Sequence, residues 1–295
     1  MRYLIVLVFA LVLSSCSSTK KIVENTPKEE PKEAVEVEAK VKTETILQAE
    51  EIPAATEVPI EVEVTPKVKE TTIQETIIAS TEAFNHNEWN KLLAQHVSDA
   101  GNVDYKSFKS SRKALTNYIT SLGTSMPNNR WIKEDKLVYW INAYNAMTVD
   151  LILRNYPLQS IKDIKDPWEQ RLWKLGDKWY NLEEIEHQIL RKMDEPRIHF
   201  AIVCASFSCP KLQNEAFTAS NLEAQLTNAT KEFLSDKNRN DISENNLKLS
   251  KIFKWFKKDF EQNGSLIDFL NKYSVISISE KANKSYLDYN WDLNN

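Results

Sequence analysis

The chain has 295 residues, 42% of them hydrophobic, with a formal net charge of −4 and three cysteines. That composition can supply a well-buried core, and so weak a charge imbalance excludes the basic footprint expected of a nucleic-acid binder. All eight tryptophans lie beyond residue 80, so the core belongs to the later part of the chain.

Residues 1–15 contain Arg2 and then an unbroken apolar run from Leu4 to Leu13. This reads as a signal peptide, too short to span a bilayer as a helix. It ends Leu13-Ser14-Ser15-Cys16, which resembles the bacterial lipobox. The resemblance implies cleavage before Cys16 and lipid on its sulfur and new amino group. Paired acyl chains anchor stably where one binds only marginally. The alternative is a plain secretory signal with an incidental cysteine. Localisation follows as the cell envelope, with Ser17 favouring the outer membrane, facing the periplasm or the surface.

Residues 17–80 lack aromatics and glycine and carry 14 glutamates, 8 lysines and 5 prolines. Such a segment buries too little apolar surface to offset its chain entropy, and it reads as a disordered tether rich in Glu, Lys, Pro, Val and Thr. With Cys16 it forms an anchor-and-tether region, 16–80. Residues 81–295 remain as a single globular domain. Its 29 basic and 28 acidic residues leave a net of +1, so the acidity belongs to the tether.

Within the domain, residues 84–97 and 105–122 carry apolar side chains at helical spacing. Residues 133–155 form the longest predicted helix, ended by Tyr156-Pro157 and apolar nearly all round, hence buried. Asn142 and Asn145 lie within it, three apart and neighbours on its surface. Residues 171–181 read as a hairpin around Gly176-Asp177, with Trp173 and Trp179 packing across it. Asn181 and Glu184 suggest a capping box and a helix to Met193, carrying His187. Residues 197–204 form a near-continuous apolar run of strand length, read as a central strand covered on both faces. The small polar stretch to Pro210 reads as the loop leaving it. Ser220 and Glu223 suggest a second capping box and a helix to Leu234. Residues 242–249 read as a small hairpin, 252–260 and 265–273 as short helices, and 287–293 as a half-buried strand. The fold class is α+β, a helical first half packed on a small, mostly antiparallel sheet.

Several segments carry a family resemblance. Tyr139-Trp140-Ile141-Asn142-Ala143-Tyr144-Asn145-Ala146, Ile185-Glu186-His187-Gln188-Ile189-Leu190-Arg191 and the stretch from Arg197 to Leu212 resemble the motifs of the domain of unknown function 547 family. Val103-Asp104-Tyr105 and the closing Tyr286-Leu287-Asp288-Tyr289-Asn290-Trp291 fit as well. The resemblance implies a site assembled from Asn142, Asn145, His187, His199, Cys204 and Cys209. A distant likeness to transglutaminase-like and papain-like folds is also drawn, although the long helix carries Asn142 and Asn145 where those folds place a cysteine.

Strand alternation would put His199 and Cys204, five apart, on opposite faces. That leaves Cys209, in the loop, as the expected nucleophile, with His199 or His187 as base and Asn142 as orienting group. Asn145 and Cys204 are then binding residues, and Cys204→Ala acts mainly through packing. The bland readings stay open: histidines and asparagines satisfying a buried interior, and a short-loop disulfide worth about 2 kcal/mol. A metal site from both histidines and both thiols fails the parity argument, and neither metal nor cofactor is expected. Two functions follow, the first favoured because no complete catalytic constellation can be built from the sequence and the second its alternative. One is a tethered binding module taking a peptide, glycan or envelope protein in the cleft around the His/Cys stretch. The other is a thiol-dependent hydrolase or transferase acting on peptide or amide bonds. A free, low-pKa thiol favours the enzyme.

Overall fold

The computed structural model describes residues 83–295; the signal peptide, Cys16 and the tether lie outside the described residues. Helix α1 (Asn87–His96) and helix α3 (Arg112–Leu122) are amphipathic and meet through Trp89, whose ring stacks on Tyr118 at 5.9 Å. Between them the expected continuous helix is broken into α2 (Tyr105–Phe108) and a 3₁₀ turn (Lys109–Ser111). Asp104 caps α2 by accepting from the Ser107 N–H at 2.9 Å, a local bond that competes with helix continuation.

Helix α4 (Lys133–Asn155) is the predicted central helix, and every residue from Leu137 to Leu153 is buried. Its buried Asp150 is held by Arg154 at 2.7 Å and by the Trp173 indole N–H at 2.8 Å, which ties the helix to the following hairpin. That hairpin pairs β1 (Trp173–Leu175) with β2 (Lys178–Tyr180). Trp173 faces Tyr180 rather than Trp179, which stands 51% exposed on the other side. The expected cross-strand tryptophan pair is therefore corrected by the two-residue alternation of the strand.

Asn181 accepts from the Glu184 N–H at 2.8 Å and starts α5 (Leu182–Glu184). The chain then widens into a π-helical turn (Ile185–Ile189) and tightens to 3₁₀ (Leu190–Met193). His187 lies in the π-helical turn, a conformation that recurs at functional sites.

The organising stretch differs most from expectation. Residues 197–204 are not a strand. Pro196–Phe200 is a 3₁₀ helix capped by the Glu195 carboxylate on the Arg197 N–H, and the Ile198 carbonyl accepts from both Ala201 and Ile202 at 2.9 Å. Its apolar character has another cause. Ile198, Ala201, Ile202 and Val203 enter the core around α4, whereas Phe200 enters a second core with Phe233, Phe253 and Phe260. A segment wedged between two cores is apolar on every side, and a short apolar run does not reveal its own period. The parity argument separating His199 from Cys204 therefore does not apply.

Helix α6 (Leu222–Ser235) covers the second core. It starts from Asn221 without a side-chain cap; Glu223 instead grips Arg197 through two bonds of 2.7 and 2.8 Å. Strands β3 (Asp241–Ile242) and β4 (Asn246–Leu249) pair antiparallel, and β5 (Asn283–Tyr286) joins β4 in parallel. Between them lie α7 (Ile252–Trp255), α8 (Lys257–Phe260) and α9 (Leu266–Tyr273), the last with a Ser265/Asp268 capping box. The final strand thus falls earlier than its alternation suggested. Residues 287–293 instead run across loop 206–208, with the Phe207 N–H donating to Asp292 at 2.7 Å and the Ser208 N–H to Asn290 at 3.2 Å. With two small sheets and a helical majority, the domain is α+β.

Candidate functional site

A cavity of about 200 Å³ opens where the two cores meet. Its walls are strongly aromatic: Trp168, Trp255, Phe256, Tyr289 and Trp291 all line it. Tyr289 and Trp291 lie 4.5 Å apart between ring centroids, and Trp255 packs on Tyr289 at 4.8 Å. His187, His199, Cys204 and Cys209 reach the same cavity from the π-helical turn, the 3₁₀ helix and the loop.

The thiols are both free. Their sulfurs lie 2.9 Å apart, and the Cys204 N–H donates to the Cys209 sulfur at 2.8 Å. Cys204 Sγ also lies 3.1 Å from the Ser206 hydroxyl and 3.1 Å from the Tyr289 hydroxyl. Ala205, which follows, is held at φ +55, a left-handed conformation unusual for alanine and characteristic of over-determined functional loops. The Cys209 thiol beside it draws the Cys204 pKa below the usual range, and the Ser206 and Tyr289 hydroxyls add to this against the opposing effect of burial. Burial raises Cys209 well above the ordinary thiol value, and the neighbouring Cys204 raises it further. Burial likewise keeps Tyr289 protonated, hence a donor towards sulfur. Cys204 is half-buried and Cys209 buried. Cys204 is thus the more accessible of the two thiols, and Cys209, expected in the loop, lies buried behind it.

Proton positions on the histidines follow from their partners. Arg191 Nη1 lies 2.7 Å from His187 Nδ1, and a guanidinium only donates, so Nδ1 accepts and the ring proton sits on Nε2. His199 Nε2 lies 2.8 Å from Asp259 Oδ2. An ionised carboxylate only accepts, so Nε2 carries the proton and a neutral His199 keeps its lone pair on Nδ1. Burial pushes the Asp259 carboxyl up, but hydrogen bonds from Arg191 and His199 outweigh it and hold it well below the usual carboxylate range. His199 stacks on Phe256 with centroids 3.9 Å apart, which fixes the ring plane. A histidine held by a carboxylate at one nitrogen, with its ring plane fixed, has the orientation a general base needs.

Residues 128–234 match the family model described as "Protein of unknown function, DUF547". The DUF547 resemblance is supported over those residues. No curated protein and no solved structure matches. The matched segment supplies His187, His199, Cys204 and Cys209 to the cavity, while Phe256, Asp259, Tyr289 and Trp291 lie beyond the match.

Asn142 and Asn145, within the matched segment, do not line the cavity. Asn142 bonds both backbone groups of Phe217, donating to its carbonyl at 2.9 Å and accepting from its N–H at 3.1 Å. Asn145 donates to the Ala201 carbonyl at 2.9 Å and accepts from the Val203 N–H at 3.0 Å. Both satisfy buried backbone, and Asn145 fixes the turn that delivers Cys204. The residue hydrogen-bonded to His199 is Asp259, not Asn142. Its position 60 residues beyond His199 gave no local signal. Tyr289 belongs to a segment that alternates like a strand and fits the family's closing motif, but neither signal carries its reach to Cys204, which follows from residues 287–293 crossing the loop. Among the described residues, no cluster of three or more His, Cys, Asp or Glu side chains is placed to hold a metal ion.

Proposed function

We propose that the domain is a thiol-dependent hydrolase or transferase acting on acyl bonds of the amide or ester class, with Cys204 as nucleophile. The observation that carries this reading is the free Cys204 thiol, drawn towards its anion by the Cys209 thiol and two hydroxyls, beside an aromatic cavity. A thiolate is the attacking species in such chemistry. It would add to the carbonyl carbon of a bound acyl group; the leaving nitrogen or oxygen takes a proton, and water or another acceptor then releases the acyl group. His199, oriented by Asp259, is the group assigned to proton transfer. Tyr289 and Ser206 position the sulfur.

Activated esters test this directly. Incubation with p-nitrophenyl acetate should place one acetyl group on Cys204, and Cys204→Ala should acquire none there. His199→Ala should slow the acylation by roughly 10²-fold, the size expected for loss of a general base. Equal acylation in Cys204→Ala would overturn the reading.

A second reading is a binding module that takes a peptide, glycan or envelope protein in the same cavity. It is favoured by the commitment of both histidines, His187 to Arg191 and His199 to Asp259, rather than to either sulfur. Retention of a ligand without turnover, unaffected by Cys204→Ala, would select it.

The carrier is proposed as a lipid-anchored cell-envelope protein. The support is the signal-like residues 1–15 and Leu13-Ser14-Ser15-Cys16. Cys16→Ser should move the protein from the membrane to the soluble fraction or leave its precursor uncleaved. A palmitate analogue should label the wild-type chain; no label on it would remove the anchor from the proposal.

A further inference from the structure

We infer that Cys204 and Cys209 form an attacking and resolving thiol pair that exchanges with a small organic disulfide entering the cavity. The inference concerns an activity separate from acyl transfer and does not rest on it, since exchange at sulfur needs no carbonyl chemistry.

Three observations carry it. The two sulfurs are already in contact at 2.9 Å. They are held there by the backbone: the Cys204 N–H meets the Cys209 sulfur at 2.8 Å, and the Cys209 N–H donates to the Ser206 carbonyl at 3.0 Å. Arg239 clamps the same loop from outside, donating to the carbonyls of Cys209 at 2.8 Å and Phe207 at 2.7 Å. Finally, the two thiols differ in access, with Cys204 half-buried at the cavity and Cys209 buried behind it. Exchange needs an attacker that can be reached and a resolver that is close but shielded, so that a mixed disulfide is cleared from within. The lowered pKa of Cys204 and the raised pKa of Cys209 assign the roles in the same order.

The steps balance as follows. The Cys204 thiolate attacks one sulfur of R–S–S–R, forming Cys204–S–S–R and releasing RS⁻. The Cys209 thiol gives its proton to the departing thiolate pool and attacks the Cys204 sulfur. The Cys204–Cys209 disulfide forms and the second RS⁻ leaves. The protein loses two electrons, and the small disulfide gains them as two thiols. A dithiol returns the protein to its starting state by the reverse exchange.

The test uses the mature full-length protein with oxidised glutathione, read by intact mass under non-reducing conditions. Wild-type protein should lose two hydrogens, retain no glutathione, and regain its mass with dithiothreitol. Cys209→Ser should stop with one glutathione on Cys204 in essentially every chain. Cys204→Ser should react at neither position over the same time. Cys209→Ala, which keeps a small apolar side chain at the buried site, serves if the serine variant fails to fold. Glutathione stably retained on wild type would overturn the inference. So would an internal disulfide slower to form in the folded chain than in the urea-unfolded one. Because the readout is mass at sulfur, these results stand apart from acylation at Cys204: exchange without acyl transfer sinks only the enzyme reading, and acyl transfer without exchange sinks only this one.

Discussion

Asn145→Leu should lower stability by about 3 kcal/mol, although the side chain does not line the cavity beside the thiols. Leucine keeps the branched shape but strands the Ala201 carbonyl and the Val203 N–H, both buried. Each such group costs about 1–3 kcal/mol when its partner is removed and water cannot enter. Urea denaturation gives the value from the midpoint at constant slope. Asn142→Leu is the matched control, because Asn142 makes the same pair of bonds to Phe217. Both variants should be destabilised alike, yet only Asn145→Leu should change the alkylation rate of Cys204, one residue beyond the Val203 N–H. A cost below about 1 kcal/mol for Asn145→Leu would mean that water or a shifted turn satisfies the two groups.

Asp259→Asn should cost a similar amount, about 3 kcal/mol, by leaving Arg191 without its partner. Arg191 reaches the carboxylate through Nε at 2.6 Å and Nη2 at 2.8 Å, and His199 shares one of those oxygens. An amide cannot accept from all of them. The pH dependence has a definite sign. The folded carboxyl titrates well below its unfolded value of about 3.9. Its contribution is therefore fully present above that unfolded value and is lost as pH falls through the folded one. The gap in thermal midpoint between wild type and Asp259→Asn should stay constant from pH 8 to 5 and narrow only below about pH 4. A gap that closes between pH 7 and 5 would assign the coupling to the histidine rather than the carboxylate. Asp259→Asn should also slow acylation at Cys204, since His199 loses the acceptor that sets its tautomer.

Much of the fold could be read from local patterns. The buried helix from Lys133 to Asn155, the hairpin at Gly176 and the Asn181 cap follow from periodicity, a left-handed glycine and a short polar acceptor. The 3₁₀ segment at Pro196–Phe200 was hidden because its neighbours are two cores, one on each side, and burial erases the alternation that separates strand from helix. Glu223 looked like a cap because the spacing from Ser220 fits one, but its ion pair with Arg197 reaches 26 residues back. The candidate site divides the same way. Its histidines and thiols cluster in sequence and could be singled out. Asp259 and Tyr289 are joined to them only by long-range packing, and no spacing rule carries a contact across 60 or 85 residues.

The tail at 287–293 has a consequence for the order in which the protein becomes itself. Tyr289 reaches Cys204, Asn290 and Asp292 hold loop 206–208, and the Asn294 carbonyl accepts from the Val103 N–H at 2.8 Å. Tyr289 leaves the ribosome 85 residues after Cys204, so the surroundings of the sulfur are completed long after the thiol itself is made. A nascent or truncated chain carries the same two cysteines without the hydroxyl that polarises one of them or the tail that fixes their loop. The environment of the Cys204 sulfur is therefore assembled only once residues 289–292 have been made and folded back across the loop.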